Sequence, residues 1–216
     1  MENKENTPKT TGFALLLGSF LMFATMVLHP AGGSFEHLLK ATKFIVISHA
    51  LAIASVPLSI FGFWGLLKRF TNHQNLSMAA FIFMVIGQFA GLIAATINGL
   101  TLPFFINQYK DATPETLETI KIVLRYGSSL NHAFDYILIG NICVATFIWS
   151  VLIVKTKELP VWLGYLGILF NVVFVILLLS NFNLLDLFGF RIFIFSLVIW
   201  ILGVGIFQVK FKNNLN

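Results

Sequence analysis

The side chains best suited to chemistry lie together at the start of one apolar stretch. Asn131, His132, Asp135 and Tyr136 follow one another closely there. Residues three or four apart share one face of an α-helix, so His132 and Asp135 could act as an acid–base pair or as two ligands. Ionisable groups inside a membrane are costly and usually functional. We therefore expect this segment to contribute to a site.

Polar residues on other apolar stretches extend this candidate site. His49 lies near the start of the second stretch, Asn98 near the end of the third, and Arg191 at the start of the sixth. Counting at about 1.5 Å per helical residue places all of them at a depth similar to that of Asp135, on one side of a membrane. We expect Arg191 to be the counter-ion of Asp135. The predicted ligand-binding pocket contains His49, Asn98, Asn131, His132, Asp135, Tyr136 and Arg191.

Six apolar stretches must position these residues. The chain has 216 residues, of which 57% are hydrophobic and 11% charged, whereas soluble domains are about 25% charged. A helix needs about 20 apolar residues to cross a bilayer. The composition thus excludes an ordinary soluble domain and predicts a single all-α membrane domain, a bundle of six transmembrane helices. The predicted spans are about 12–29, 44–67, 77–101, 130–154, 160–180 and 189–209.

The longest polar connection lies between the third and fourth spans. Thr113 followed by Pro114 is typical of a helix start, and apolar residues recur at helical spacing up to Leu124. Gly127 is expected to end this helix. The pattern predicts a short amphipathic helix, residues 114–126, that lies on the membrane surface and covers the pocket.

The basic residues predict an orientation. The net charge of +5 comes from 14 basic and 9 acidic residues, and the basic residues lie near span ends rather than in a patch for nucleic acid. Eight of them lie on the side of the two termini and six on the other, which predicts cytoplasmic termini, with a cytoplasmic tail over residues 1–10. The expected partner is the lipid bilayer, with no nucleic acid. The eight are Lys4, Lys9, Lys68, Arg69, Lys155, Lys157, Lys210 and Lys212.

Three functions remain open at this point. The first is binding of a small hydrophobic or amphipathic ligand, or a lipid, by a sensor or accessory module. The second is a redox protein that holds haem or a transition metal between His49 and His132. The third is a membrane-embedded enzyme with Asp135 and a histidine as acid and base. The single cysteine, Cys143, excludes an intrachain disulfide, and no spaced catalytic motif favours the third function.

The third span carries a contact motif. Gly87 and Gly91 are four residues apart, a spacing that lets another helix approach closely in a membrane. We therefore expect a homo-oligomer, if one forms, to use these two glycines.

Short motifs spread over most of the chain resemble a known family. They are the His29-Pro30 stop after the first span, the segment 48–51 (Ser-His-Ala-Leu) and the segment 159–167, which begins Leu-Pro-Val-Trp-Leu-Gly. These motifs are similar to those of small bacterial six-span membrane proteins grouped as a domain of unknown function. The resemblance implies a bacterial inner membrane and six spans, and it implies no activity.

Overall fold

The computed structural model describes residues 7–210, and that part of the chain is helical with no β-strand. Six of its helical segments are long and apolar enough to cross a membrane, which confirms the predicted all-α six-span architecture. A 3₁₀ turn, Thr71–His73, begins the third of these segments, and a π-helical turn, Ile97–Thr101, lies within it. The α-helices are α1 (Thr7–Leu28), α2 (Phe35–Arg69), α3 (Gln74–Thr96), α4 (Leu102–Gln108), α5 (Pro114–Thr156), α6 (Val161–Leu179) and α7 (Leu187–Val209).

The outer surface of the bundle is apolar. Large hydrophobic side chains such as Phe20, Phe89 and Leu179 are more than half exposed. Burying them in lipid rather than water removes the cost of that exposure, and the helical backbone satisfies its own hydrogen bonds there. Between residues 126 and 154 the only Asp, Glu, Lys or Arg is Asp135, and it faces inward.

Small residues let the helices approach closely. Helix α1 packs on α2 and α7, and α3 packs on α5. A Cβ added at Gly62 would lie 2.4 Å from Cγ of Leu15, and one added at Gly12 would lie 2.7 Å from a methyl group of Val209. Such contacts replace the hydrophobic driving force that is missing between helices in lipid.

Gly87 and Gly91 are used inside the chain. A Cβ at Gly87 would lie 2.9 Å from Cγ1 of Ile142, and one at Gly91 would lie 2.4 Å from Cδ1 of Leu138. Both glycines therefore accommodate α5 of the same molecule. A homo-oligomer through the two glycines stays a prediction.

An aromatic core fills one end of the bundle. The ring of Phe63 stacks on Trp149 at 5.2 Å and on Trp200 at 6.5 Å. The indole nitrogen of Trp149 donates to Ser77 Oγ at 3.0 Å, and that of Trp200 donates to the Leu163 carbonyl at 3.1 Å. Since buried indole groups need a hydrogen-bond partner, both of these indole groups are packed and satisfied.

Helix α5 is longer than predicted. It begins at Pro114, where Thr113 Oγ1 accepts from the backbone N–H of Thr116 as expected, and it runs without a break to Thr156. The predicted helix end at Gly127 is wrong. A single glycine costs only about 1 kcal/mol in a helix relative to alanine, too little to stop a helix that is favoured on both sides. The amphipathic segment 114–126 is therefore the first part of the helix that carries the fourth span.

Candidate functional site

A cavity of about 250 Å³ opens at the end of the bundle where α1 ends and α7 begins. Polar side chains line this cavity together with apolar side chains such as Met22, Leu138 and Leu197. The polar lining residues are Thr25, His29, His49, Ser55, Gln88, Asn98, Ser128, Asn131, His132 and Asp135.

The structure brings five of the seven predicted site residues to this cavity: His49, Asn98, Asn131, His132 and Asp135. His132 is at its exposed rim. The other two lie elsewhere. Tyr136 is 60% exposed on the outer surface of α5, and Arg191 binds backbone carbonyls at the end of α1.

Asp135 and Asn131 form the buried polar pair of the site. They are one helical turn apart on α5, and Nδ2 of Asn131 donates to Oδ2 of Asp135 at 2.7 Å. Both residues are less than a tenth exposed, and Oδ1 of Asn131 is buried without a hydrogen-bond partner. Burying an acceptor without a hydrogen-bond partner costs about 1–3 kcal/mol in stability. A hydrogen bond from a ligand to this atom would remove that cost.

No basic side chain neutralises Asp135. Within residues 7–210 its carboxylate forms no ion pair with a lysine, arginine or histidine. The acid–base pair suggested by the sequence is therefore not assembled, since the partner of Asp135 is the amide of Asn131. The carboxylate instead gives the cavity an uncompensated acidic group.

Two histidines from different helices meet in the cavity. The rings of His29 and His49 are 4.8 Å apart. Nδ1 of His49 donates to the Ile45 carbonyl at 2.7 Å, and Nδ1 of His29 donates to the Pro30 carbonyl at 2.9 Å. A carbonyl only accepts, so each neutral ring carries its proton on Nδ1 and keeps a lone pair on Nε2. The backbone thus sets both rings to present an acceptor.

Gly99 makes room for His49. A Cβ at Gly99 would lie 2.0 Å from Cβ of His49, which no side chain could tolerate. Gly99 lies in the π-helical turn, where the N–H of Leu102 bonds the Ile97 carbonyl. Pro103 explains this turn, because a proline has no N–H for the carbonyl four residues earlier, which is that of Gly99, and its ring clashes with that carbonyl.

The sequence analysis missed Gly99, and it did not include His29 in the predicted pocket. The spacing of Gly99 and Pro103 was the available signal for a local widening of the helix. For His29 no sequence signal indicated that α1 and α2 approach closely enough to bring its ring against His49.

Arg191 lies outside the cavity and connects α7 to the end of α1. Its Nε donates to the Met26 carbonyl at 3.1 Å and its Nη2 to the His29 carbonyl at 2.9 Å. These carbonyls lie at the end of α1, where helical partners are lacking and a cation is favoured. The predicted ion pair of Arg191 with Asp135 is therefore wrong, and Arg191 instead joins α7 to α1 behind His29.

The start of α5 does not cover the cavity. Ser128 is the first residue of α5 in the cavity wall, and no residue of the segment 114–126 reaches it. The rim is formed instead by Gly32 after α1 and by Leu185 and Leu187 at the start of α7. The predicted role of the amphipathic segment as a cover is wrong because α5 continues straight through Gly127.

The donor set fits a metal poorly. Across the described range 7–210, no group of three or more His, Cys, Asp or Glu side chains is arranged to hold a metal ion. The ring packed against His49 is that of His29 rather than the predicted His132. A zinc site needs three or four protein ligands, so the cavity is better suited to an organic molecule. Its volume lies just below the range of about 300–1,000 Å³ typical of drug-sized sites, which favours a small one.

The six apolar helices and the exposed apolar surface define a multi-pass membrane protein with a polar cavity at one end. Comparisons of the chain with family models, with curated proteins and with solved structures find no match. The resemblance to bacterial six-span proteins thus stays a prediction from short motifs, and the function is argued from the cavity itself.

Proposed function

We propose that this protein is a ligand-binding membrane protein that holds one small amphipathic molecule in its polar cavity, as a sensor or accessory module. The observation that carries the proposal is the buried, unpartnered Oδ1 of Asn131 in the wall of an open cavity. A hydrogen-bond donor on a ligand would remove the cost of that unpaired atom.

The lining supports an amphipathic ligand. The polar groups of Asp135, His49 and Asn98 share the cavity with the apolar side chains of Met22 and Leu197. An apolar cavity of about 150 Å³ can hold benzene. A cavity of about 250 Å³ therefore has room for one ring or a short chain with a polar group attached.

We propose further that the cavity opens on the outer face of a bacterial inner membrane, with both termini in the cytoplasm. The support is the distribution of lysine and arginine, eight on the side of the termini and six on the other. Short basic loops next to span ends are retained in the cytoplasm. A ligand from outside the cell would then enter without crossing the membrane.

A cavity-filling substitution tests the proposed binding. Ala52 lines the cavity, whereas Ala54 on the same helix is exposed on the outer surface. The probe is 2-phenylethanol, a neutral amphipathic molecule. It should raise the unfolding temperature of the purified full chain and of Ala54→Leu, and it should have no effect on Ala52→Leu, because the added side chain takes up the volume the probe needs. Equal shifts in all three proteins, or no shift in any, would contradict the proposal.

A further inference from the structure

We infer that the cavity selects a protonated amine, with the ammonium group held by Asp135 and Asn131 and a short apolar body packed against the apolar lining residues. The inference rests on the proposed function and narrows it to one ligand class. It is carried by the charge of the lining and by the hydrogen-bonding atoms that the protein leaves unused.

The charge of the lining favours a cation. Asp135 is the one carboxylate among the residues that line the cavity, and none of those residues is a lysine or arginine. The nearest guanidinium at the rim, that of Arg191, is bound to the Met26 and His29 carbonyls. A buried carboxylate without a counter-ion is costly, and a cationic ligand supplies the missing positive charge. An anionic ligand would meet repulsion from Asp135.

Four acceptor atoms of the lining have no hydrogen-bond partner within residues 7–210, and the amide of Asn98 and the hydroxyl of Ser128, which can donate or accept, have none either. Oδ1 of Asn131 has no partner, and Oδ2 is the only oxygen of Asp135 that a described residue reaches with a donor. Nε2 of His29 and of His49 each keep a lone pair, since Nδ1 carries the proton. A ligand that brings donors satisfies these four acceptors.

Two of the three hydroxyl groups of the lining have their protons already in use. The hydroxyl of Ser55 donates to the Ala52 carbonyl at 2.6 Å, and that of Thr25 donates to the Leu21 carbonyl at 2.9 Å. Both protons are thus used within their own helices. An ammonium group brings three N–H donors, an alcohol brings one, and a carboxylate brings none, so the number of acceptors matches an amine best.

Three compounds of nearly equal size test whether the charge of the ligand, rather than its shape, determines its affinity. They are 2-phenylethylamine, 2-phenylethanol and phenylacetate, each titrated calorimetrically into the purified full chain at neutral pH. A hydrogen bond to a charged group contributes about 1.5–3 kcal/mol, so the amine should bind roughly ten- to a hundredfold more tightly than the alcohol. Phenylacetate should not bind. Zinc chloride without an organic probe tests whether the lining prefers a metal ion.

Two matched variants assign the selectivity to Asp135. In Asp135→Asn, which keeps the shape of the side chain, the affinity for the amine should fall to about that for the alcohol, because only the charge-assisted part is lost. In Asp111→Asn, which removes an exposed carboxylate after α4, the preference for the amine should be unchanged. If Asp135→Asn does not fold, the order of the three compounds on the unmodified protein decides the question alone.

The outcomes separate the two proposals. Equal affinity for amine and alcohol, an amine preference that survives in folded Asp135→Asn, or a zinc ion that binds and displaces the amine would each overturn the selection of an amine. If the alcohol still binds in the Ala52-dependent manner described above, the proposed function stands without it. If neither the amine nor the alcohol binds, both proposals fail.

Discussion

The carboxylate of Asp135 and the guanidinium of Arg191 both lie near the mouth of the cavity, yet they do not pair. Asp135 takes a hydrogen bond from Asn131, and Arg191 gives its hydrogen bonds to backbone carbonyls at the end of α1. Asp135 is therefore expected to affect ligand binding, and Arg191 to stabilise the packing of α7 against α1. A mutational experiment can measure these two roles separately.

A double-mutant cycle should find Asp135 and Arg191 independent. Arg191→Gln should lower the free energy of unfolding by about 1.5–3 kcal/mol, because it loses charge-assisted hydrogen bonds to the carbonyls. The effects of Arg191→Gln and Asp135→Asn should add to within about 0.5 kcal/mol, as for residues that share no partner. Denaturant unfolding of the four proteins provides the measurement. A larger favourable coupling would mean that the two residues form an ion pair after all.

The contact of Gly99 with His49 gives a second test at a single residue. Gly99→Ala places a methyl group where the Cβ of His49 lies, so it should lower the free energy of unfolding by about 1–3 kcal/mol through overpacking and weaken binding of 2-phenylethanol. Gly140→Ala is the control, because a Cβ at Gly140 meets nothing within 4 Å. Thermal unfolding with and without the probe compares the two variants. Similar behaviour of both would show that Gly99 does not position His49.

Counting residues from the span ends predicted which polar residues lie at one end of the bundle, but it did not predict which contacts they form. His49, Asn98 and Asp135 were found because their distance from a span end depends only on the rise of a helix. The partner of Arg191 was not predictable, since an arginine side chain can reach a carboxylate or several carbonyls and the sequence does not say which is closer. Nor could the sequence place Tyr136 on the outer surface, because a rotation of α5 about its axis decides that.

Among the elements, α5 combines two roles in one helix of 43 residues. At about 1.5 Å per residue it is roughly twice as long as the hydrocarbon core of a bilayer is thick. Its exposed polar start therefore lies outside the membrane-spanning part. Its inward residue Ile120 is buried even so, which ties this extension to the rest of the protein.

Gly127 should be replaceable with a gain in stability. It lies inside α5 without a positive φ angle, and a Cβ there meets nothing within 4 Å. Gly127→Ala should therefore raise the free energy of unfolding by about 0.5–1 kcal/mol through a smaller loss of backbone entropy. Denaturant unfolding of the purified variant measures this. A loss of stability would indicate that the helix breaks at Gly127, as the sequence first suggested.

The helices were predictable where a long run of apolar residues determines them. Helix ends that depend on a single glycine or proline were not predictable. Long apolar runs fix a membrane helix because the bilayer requires internal backbone hydrogen bonds. Gly127 was predicted to end a helix, and the third span was predicted to end at about residue 101, just before Pro103. The chain continues through both, with α5 unbroken at Gly127 and a π-helical turn before Pro103. Neighbouring helical segments outweigh the local cost in each case.

The orientation of the whole molecule in the membrane remains a prediction from its charges. Labelling of single cysteines tests it. With Cys143 replaced by alanine, Asp111→Cys and Asn72→Cys each place one thiol in a connection at opposite ends of the bundle. In right-side-out spheroplasts, a membrane-impermeant maleimide should label Asp111→Cys at once and Asn72→Cys only after lysis. The positive-inside rule is the physical reason. The reverse pattern would place the cavity on the cytoplasmic face.

At the scale of the whole molecule, the sequence predicts a six-span bundle and the polarity of one end, and the structure adds the packing order of the helices. Only that order shows that α1 brings His29 to His49 and that α5 covers Gly87. Periodicity does not determine it, because in lipid each helix is apolar on nearly every face.

The central claim, that the cavity holds a small molecule, is tested most directly by native mass spectrometry of the full chain released from membranes. Wild type and Ala54→Leu should each carry the same small non-covalent adduct, and its fragments should contain an amine. Ala52→Leu should lack it, because its larger side chain occupies the cavity. An adduct that persists in Ala52→Leu, or three identical spectra without an adduct, would contradict the account.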